Sequence, residues 1–149
     1  GTRHLDTHVH GDHLAVGPRS LQDYRGIAAG RGRAVFNGKA VVHVDAQQSQ
    51  ARQSSRNLLL TAGAEIDTKP ELEIYADDVQ CSHGATTGQL DPAALFYLRS
   101  RGLTEIEARN ALTRAFTGAV VSRMDHAPFA QMVRDALDAR LAALLETRS

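Results

Sequence analysis

Cys81 and His83 stand two residues apart in Gln80-Cys81-Ser82-His83-Gly84, and Cys81 is the only cysteine of the chain. In extended backbone two side chains at this spacing share a face, roughly 6 to 7 Å apart along the strand. A soft thiolate and an imidazole on one face form half a site for iron, copper or zinc. Two ligands cannot close such a site, so the rest must come from elsewhere in the fold or from another chain.

A second cluster is more conspicuous. His8-Val9-His10-Gly11-Asp12-His13 spells H-x-H-x-D-H, the zinc-ligand string of the metallo-β-lactamase superfamily, in which a loop after a strand gathers imidazoles around a metal that activates water. That chemistry needs further histidine and aspartate ligands downstream, and only His43, His83 and His126 follow. The competing expectation is an extended segment with His4, Asp6, His8 and His10 toward solvent and Leu5, Thr7 and Val9 inward. A zinc metallo-hydrolase using His8, His10, Asp12 and His13 therefore stands as the alternative function. No nucleophile elbow, P-loop or dinucleotide fingerprint occurs.

The elements that must position these residues change character along the chain. Through residue 90, short extended segments alternate with turn signals: residues 3–9, 33–36, 40–44, 56–60, 64–67 and 71–76. Asn37-Gly38 predicts a tight turn and Lys69-Pro70 a break, and Gly26, Gly30, Gly32 and Gly63 punctuate the remainder. Segments at roughly 8 to 12 residue spacing suggest a sandwich, a barrel or a coiled solenoid, and periodicity alone leaves the three open. Cys81 and His83 fall just beyond the last of these segments.

From Asp91 the pattern is helical. Asp91-Pro92 offers an N-cap and a first-turn proline, and Gly102 a stop. Thr104-Glu105-Ile106-Glu107 is a capping box. Behind it Ala108, Ala111, Leu112, Ala115, Phe116, Ala119 and Val120 recur at helical spacing. Asp125 to Pro128 opens a third helix striped with Phe129, Met132, Val133, Ala136, Leu137, Leu141, Leu144 and Leu145. The expected division is a strand-rich part over 1–90 and a helical domain over 91–149.

The 149 residues balance 17 Lys and Arg against 17 Asp and Glu, so net charge calls for neither nucleic acid nor an anionic membrane. No run of 18 apolar residues exists to span a bilayer. A lone cysteine fits a reducing, cytoplasmic compartment. The chain opens at Gly1-Thr2 and enters strand-like sequence almost at once, which reads as a piece of something longer.

Several strings, in order and at matching spacing, resemble the SufB/SufD family of Suf iron–sulfur cluster assembly scaffolds. They are Val35-Phe36-Asn37-Gly38-Lys39, Gln53 with Arg56-Asn57-Leu58-Leu59-Leu60, Lys69-Pro70-Glu71-Leu72-Glu73-Ile74-Tyr75-Ala76-Asp77-Asp78-Val79, Cys81-Ser82-His83-Gly84-Ala85-Thr86, and Leu95-Phe96-Tyr97-Leu98-Arg99-Ser100-Arg101-Gly102. Cys-Ser-His-Gly-Ala-Thr-Thr-Gly is similar to the SufD branch; SufB typically carries Glu-His-Glu-Ala-Thr-Thr-Ser there. The histidine-rich entry follows the family only loosely.

The resemblance implies a mostly β fold with α: a right-handed parallel β-helix core, the C-terminal part of a longer one, followed by a C-terminal helical domain. It implies a non-enzymatic scaffold that pairs with SufB through the β-helix and docks the SufC ATPase through its helices, with Leu95, Phe96 and Arg99 as candidate contacts. A transient iron–sulfur cluster would form at the SufB interface, with His83 as ligand and Cys81 as a second candidate. In isolation the same surface would support a homodimer.

Overall fold

The computed structural model describes residues 2–146, with side chains through Leu144, so the expected stripe position Leu145 lies outside the described side chains. The chain is mostly β with α: six strands precede three helices. It divides into two compact units, one ending at Gly88 and one beginning at Gln89.

In the first unit the strands are β1 (His4–His13), β2 (Arg19–Ala28), β3 (Arg33–Val42), β4 (Gln50–Leu59), β5 (Glu65–Ile74) and β6 (Gln80–Gly88). They sort alternately into two parallel three-stranded sheets, β1-β3-β5 and β2-β4-β6, which do not close on each other. Each of β1 to β4 pairs with the strand 29 to 32 positions later: His4 with Arg33, Arg33 with Glu65, Arg19 with Gln50, Gln50 with Gln80. Parallel pairing in register stacks side chains of one parity into continuous columns on each face.

The inner face of β1-β3-β5 is apolar where it is covered, with Ala34, Phe36, Ala40, Val42 and Ile66 buried. Tyr24 from the other sheet stacks on Phe36, ring centroids 4.0 Å apart and 16° from parallel. Two small clusters complete the core: Ala28, Ala34, Ala64 and Ile66, and Val42, Ala46, Ala51 and Ala76. The outer face of this sheet carries ion pairs, Arg33 with Asp67 at 2.7 Å and Lys39 with Glu73 at 2.7 Å among them.

Several expectations are corrected here. Segments 33–36 and 40–44 are joined in one strand, and Asn37-Gly38 lies inside β3 rather than in a turn. The reason is local: a Cβ on Gly38 would come within 2.9 Å of the Phe36 ring, so glycine makes room for the aromatic stack instead of bending the chain. Lys69-Pro70 is likewise interior to β5, which joins 64–67 to 71–76. As β5 is an edge strand, a prolyl nitrogen there need not cost a ladder hydrogen bond. Gly26 sits within β2, a strand the pattern did not announce, and Cys81 and His83 lie within β6 rather than beyond a strand.

In the second unit the helices are α1 (Pro92–Ser100), α2 (Glu105–Val121) and α3 (Ala127–Glu146). Asp91 caps α1 by accepting from the Ala93 amide at 2.9 Å, and Gly102 takes φ +98 in the following turn. Thr104 and Glu107 form the expected capping box, each side chain accepting from the other residue's backbone N–H. Ala108, Thr113, Val121, Ala130 and Leu141 are buried, whereas Ala111, Ala115, Phe129, Met132 and Ala136 of the expected stripes are exposed. Thr113 can be interior because its hydroxyl donates to the Arg109 carbonyl at 2.8 Å. The Arg114–Asp138 ion pair ties α2 to α3.

The box makes a pH prediction. The Thr104 backbone amide, and then its hydroxyl, hold the Glu107 carboxyl below its ordinary 4.5. A depressed folded-state pKa adds stability that is complete above 4.5 and fades as pH falls through the lower folded value. Thr104→Ala should cost about 1 kcal/mol at neutral pH and flatten that acid limb; thermal melts of both forms across the acid range check it.

Candidate functional site

The inner face of β2-β4-β6 departs from an ordinary core. Its columns read Ser20, Gln22 and Tyr24 on β2, Ala51, Gln53, Ser55 and Asn57 on β4, and Cys81, His83, Ala85 and Thr87 on β6. Gln53, Ser55 and Asn57 are nonetheless buried. Their polar groups are served mainly by one another: Gln53 Nε2 donates to Gln22 Oε1 at 3.0 Å, Asn57 Nδ2 to Ser55 Oγ at 3.2 Å, and Thr68 Oγ1 of the opposite sheet to Ser55 Oγ at 3.0 Å. These hydrogen bonds replace part of what is lost from water, while Gln53 Oε1 and Asn57 Oδ1 are buried without a partner among the described residues.

Register carries this polar column to the edge. Gln22 pairs with Gln53 and Gln53 with His83, so the imidazole continues the column on β6, the outermost strand of its sheet. His83 is exposed, and no hydrogen bond or ion pair involving it occurs among the described residues. Cys81 shares that face, as expected, but its surroundings differ. It registers with Ala51 and packs, half-buried and as a free thiol, against Val42, Ala46, Ala51 and Ala76. An open depression of about 640 Å³ borders it, lined by residues including Arg19, Ser20, Arg52 and Ser82.

The H-x-H-x-D-H string does not converge. His8, His10 and Asp12 share the outer face of β1, while His13 has the opposite parity, is 5 % exposed, and has its Nε2 2.7 Å from Ser20 Oγ. On the outer face His8 Nε2 lies 3.0 Å from Asp6, and Asp12 spans His10 at 3.2 Å and His43 at 2.9 Å. The hydrogen bond from His43, more than any other contact, holds the Asp12 carboxyl below its usual range. Among the described residues no three His, Cys, Asp or Glu side chains are placed to hold a metal ion. A strand alternates faces, so four ligands spread over both parities cannot form the hydrolase site.

In the helical unit the three candidate contacts differ. Phe96 is 75 % exposed, Leu95 is half-buried, and Arg99 is held by Glu105 at 3.0 Å. Tyr97, Ile106, Phe129 and Met132 are also exposed. Among the described residues no helix is long and apolar enough to cross a membrane.

Pattern reading from the residues did not single out Gln22, Gln53, Ser55 or Asn57 as a site. Their signal was present: polar residues of one parity, repeated about 30 positions apart.

Residues 1–116 match the family model described as SUF system FeS cluster assembly, SufBD core domain. The chain is 46 % identical over 108 residues to a SufBD family iron–sulfur cluster assembly protein of Synechocystis, covering 72 % of this chain and 24 % of that protein. It is 42 % identical over 122 residues to the iron–sulfur cluster assembly protein SufD of Escherichia coli, covering 82 % and 29 %. With SufD of Bacillus subtilis the identity is 35 % over 99 residues, covering 66 % and 23 %. The chain thus spans under a third of the length of these curated relatives. Stacked parallel strands carrying the Cys-Ser-His motif and a family match over most of the chain agree: this chain belongs to the SufB/SufD family of iron–sulfur cluster assembly proteins.

Proposed function

We propose that this chain is the cluster-bearing part of a SufD-type scaffold, a cytoplasmic protein with no catalysis of its own. It presents His83 to a nascent iron–sulfur cluster at the interface with SufB. The single observation that carries the reading is the placement of His83: an exposed imidazole without a partner among the described residues, on an edge strand, at the end of a polar inner column. Cluster iron prefers thiolates but accepts histidine, and the further ligands would come from SufB. Cys81, two residues away on the same face, is the second candidate donor.

The two parallel sheets are the flanks of a right-handed parallel β-helix. Strands that alternate between them, with paired strands of one sheet 29 to 32 residues apart, support this, as does the strong right-handed preference of parallel crossovers. The free edge of β6 is where SufB pairs, because an unpaired strand edge offers amides and carbonyls to another chain. Without SufB, a second copy takes that edge. The exposed Phe96, Phe129 and Met132 are the apolar contacts for the SufC ATPase, with Leu95 and Arg99 at their margin.

Co-expression of the tagged chain with SufB and SufC tests the complex. Stoichiometric co-elution of both is expected, and Phe96→Asp together with Met132→Asp should release SufC while leaving SufB bound. A chain that elutes without SufB overturns the reading.

A further inference from the structure

The Gln22, Gln53 and His83 register contains an unfinished hydrogen-bond chain. Gln53 is 4 % exposed and its Nε2 donates to Gln22 Oε1, yet its own Oε1 is buried with no partner among the described residues. Buried carbonyl oxygens in native proteins are nearly always paired, and this one sits in the middle of a sheet's inner face. The two polar atoms of a carboxamide diverge by about 120° from a shared carbon. With the nitrogen engaged on the β2 side, the oxygen is left for the β6 side.

What β6 offers there is limited. At the register of Gln53 it carries His83, with Cys81 and Ala85 as the next residues of the same parity. Ala85 has no polar side-chain atom, and Cys81 packs on the apolar cluster around Ala51. Strands in register lie about 4.8 Å apart. An imidazole turned inward along the face therefore brings a ring N–H within reach of Gln53 Oε1.

We propose that Gln53 is a positioning residue for His83. Its Oε1 accepts the N–H of one ring nitrogen, which fixes the tautomer and turns the other, unprotonated nitrogen toward the free edge of β6. Metal-binding histidines are commonly held this way, the second nitrogen donating to a carbonyl or carboxylate. The proposal rests on the reading of His83 as a cluster ligand and adds the group that orients it. Gln22 in turn fixes Gln53, so the ladder runs from the interior of the sheet to the ligand.

The metal-free chain tests it first. Long-range ¹H–¹⁵N spectra, recorded above the pH at which imidazole titrates and assigned with His83→Asn, report the ring's tautomer. A single dominant tautomer is expected in the wild type and in Gln53→Glu, which keeps an acceptor. Gln53→Met, of similar length but with no acceptor, should show the mixture of a free imidazole. A wild-type ring already in that mixture overturns the proposal, whatever the variants do. So does a Gln53→Met spectrum identical to wild type. In the complex with SufB and SufC, Gln53→Met should lower iron affinity about 10- to 100-fold, with Gln53→Glu restoring it. Failure of His83 as a ligand shows separately, as normal cluster yield from His83→Ala beside an unchanged tautomer result in the metal-free chain.

Discussion

His83→Ala is expected to fold like the wild type and to reduce the iron and acid-labile sulfide of the co-expressed SufB–SufC complex to background. The two halves of this result have separate causes. Folding is retained because the ring is exposed on an edge strand, so its removal costs little packing and, at most, the one hydrogen bond to Gln53 proposed above, about 1 kcal/mol. Cluster build-up should fail if, as proposed, His83 is one ligand of a site shared with SufB, because the iron it would bind then lacks a protein donor. Thermal melts, iron and sulfide assays and the visible absorption of the purified complex measure both halves. Wild-type cluster content in the variant complex would remove His83 from the mechanism.

Val42→Asp should abolish cooperative unfolding of the strand unit. Val42 is 0 % exposed, registers with His13 on one side and Ile74 on the other, and packs with Ala46, Ala51 and Ala76. The cluster neighbours are small and apolar, and the buried ring across the register, His13, already has its Nε2 on Ser20 Oγ. Burying an unpaired carboxylate costs several kcal/mol even after relaxation, comparable with the whole stability of a domain this size. Val42→Ala, which leaves a cavity and no charge, should cost about 1 to 3 kcal/mol and retain a cooperative transition. Loss of the far-UV strand signal in the first variant and a shifted but intact melt in the second are the expected readings. A folded Val42→Asp protein would mean that this end of the sheet admits water.

What could be read from the residues follows from how each element is held together. The helices were legible because their ends are chemical: Asp91, Thr104 with Glu107, and Gly102 act within a few residues of the chain. The apolar strand segments of β3 and β5 were legible too, as alternation in Ala34, Phe36 and Ile66 betrays a buried face. β2 was not, since its inner positions are Ser20, Gln22, Tyr24 and Gly26 while Leu21 and Ile27 have the outward parity. Hydrophobic period finds cores, and this face is stabilised by side-chain amides instead. Asn37-Gly38 and Lys69-Pro70 misled for a related reason: each is a turn signal only where the chain is free to turn, and stacked neighbours on β3 and β5 hold it straight. Of the candidate site, Cys81 and His83 were visible as a spaced pair, and the family resemblance marked His83. The buried Gln53 behind it could be placed only when register brought together residues 30 positions apart.

The strict parity of these strands also constrains how such a chain can change in length. Losing one residue between Gln80 and His83 would rotate the imidazole to the opposite surface and set Gly84 in its place, with composition and strand propensity almost unchanged. Losing one from the connection at 43–49 need not disturb that phase. Natural variants of this protein should therefore gather their insertions and deletions in the corners, and a gap inside β6 should mark a copy that has lost the proposed His83 ligand position.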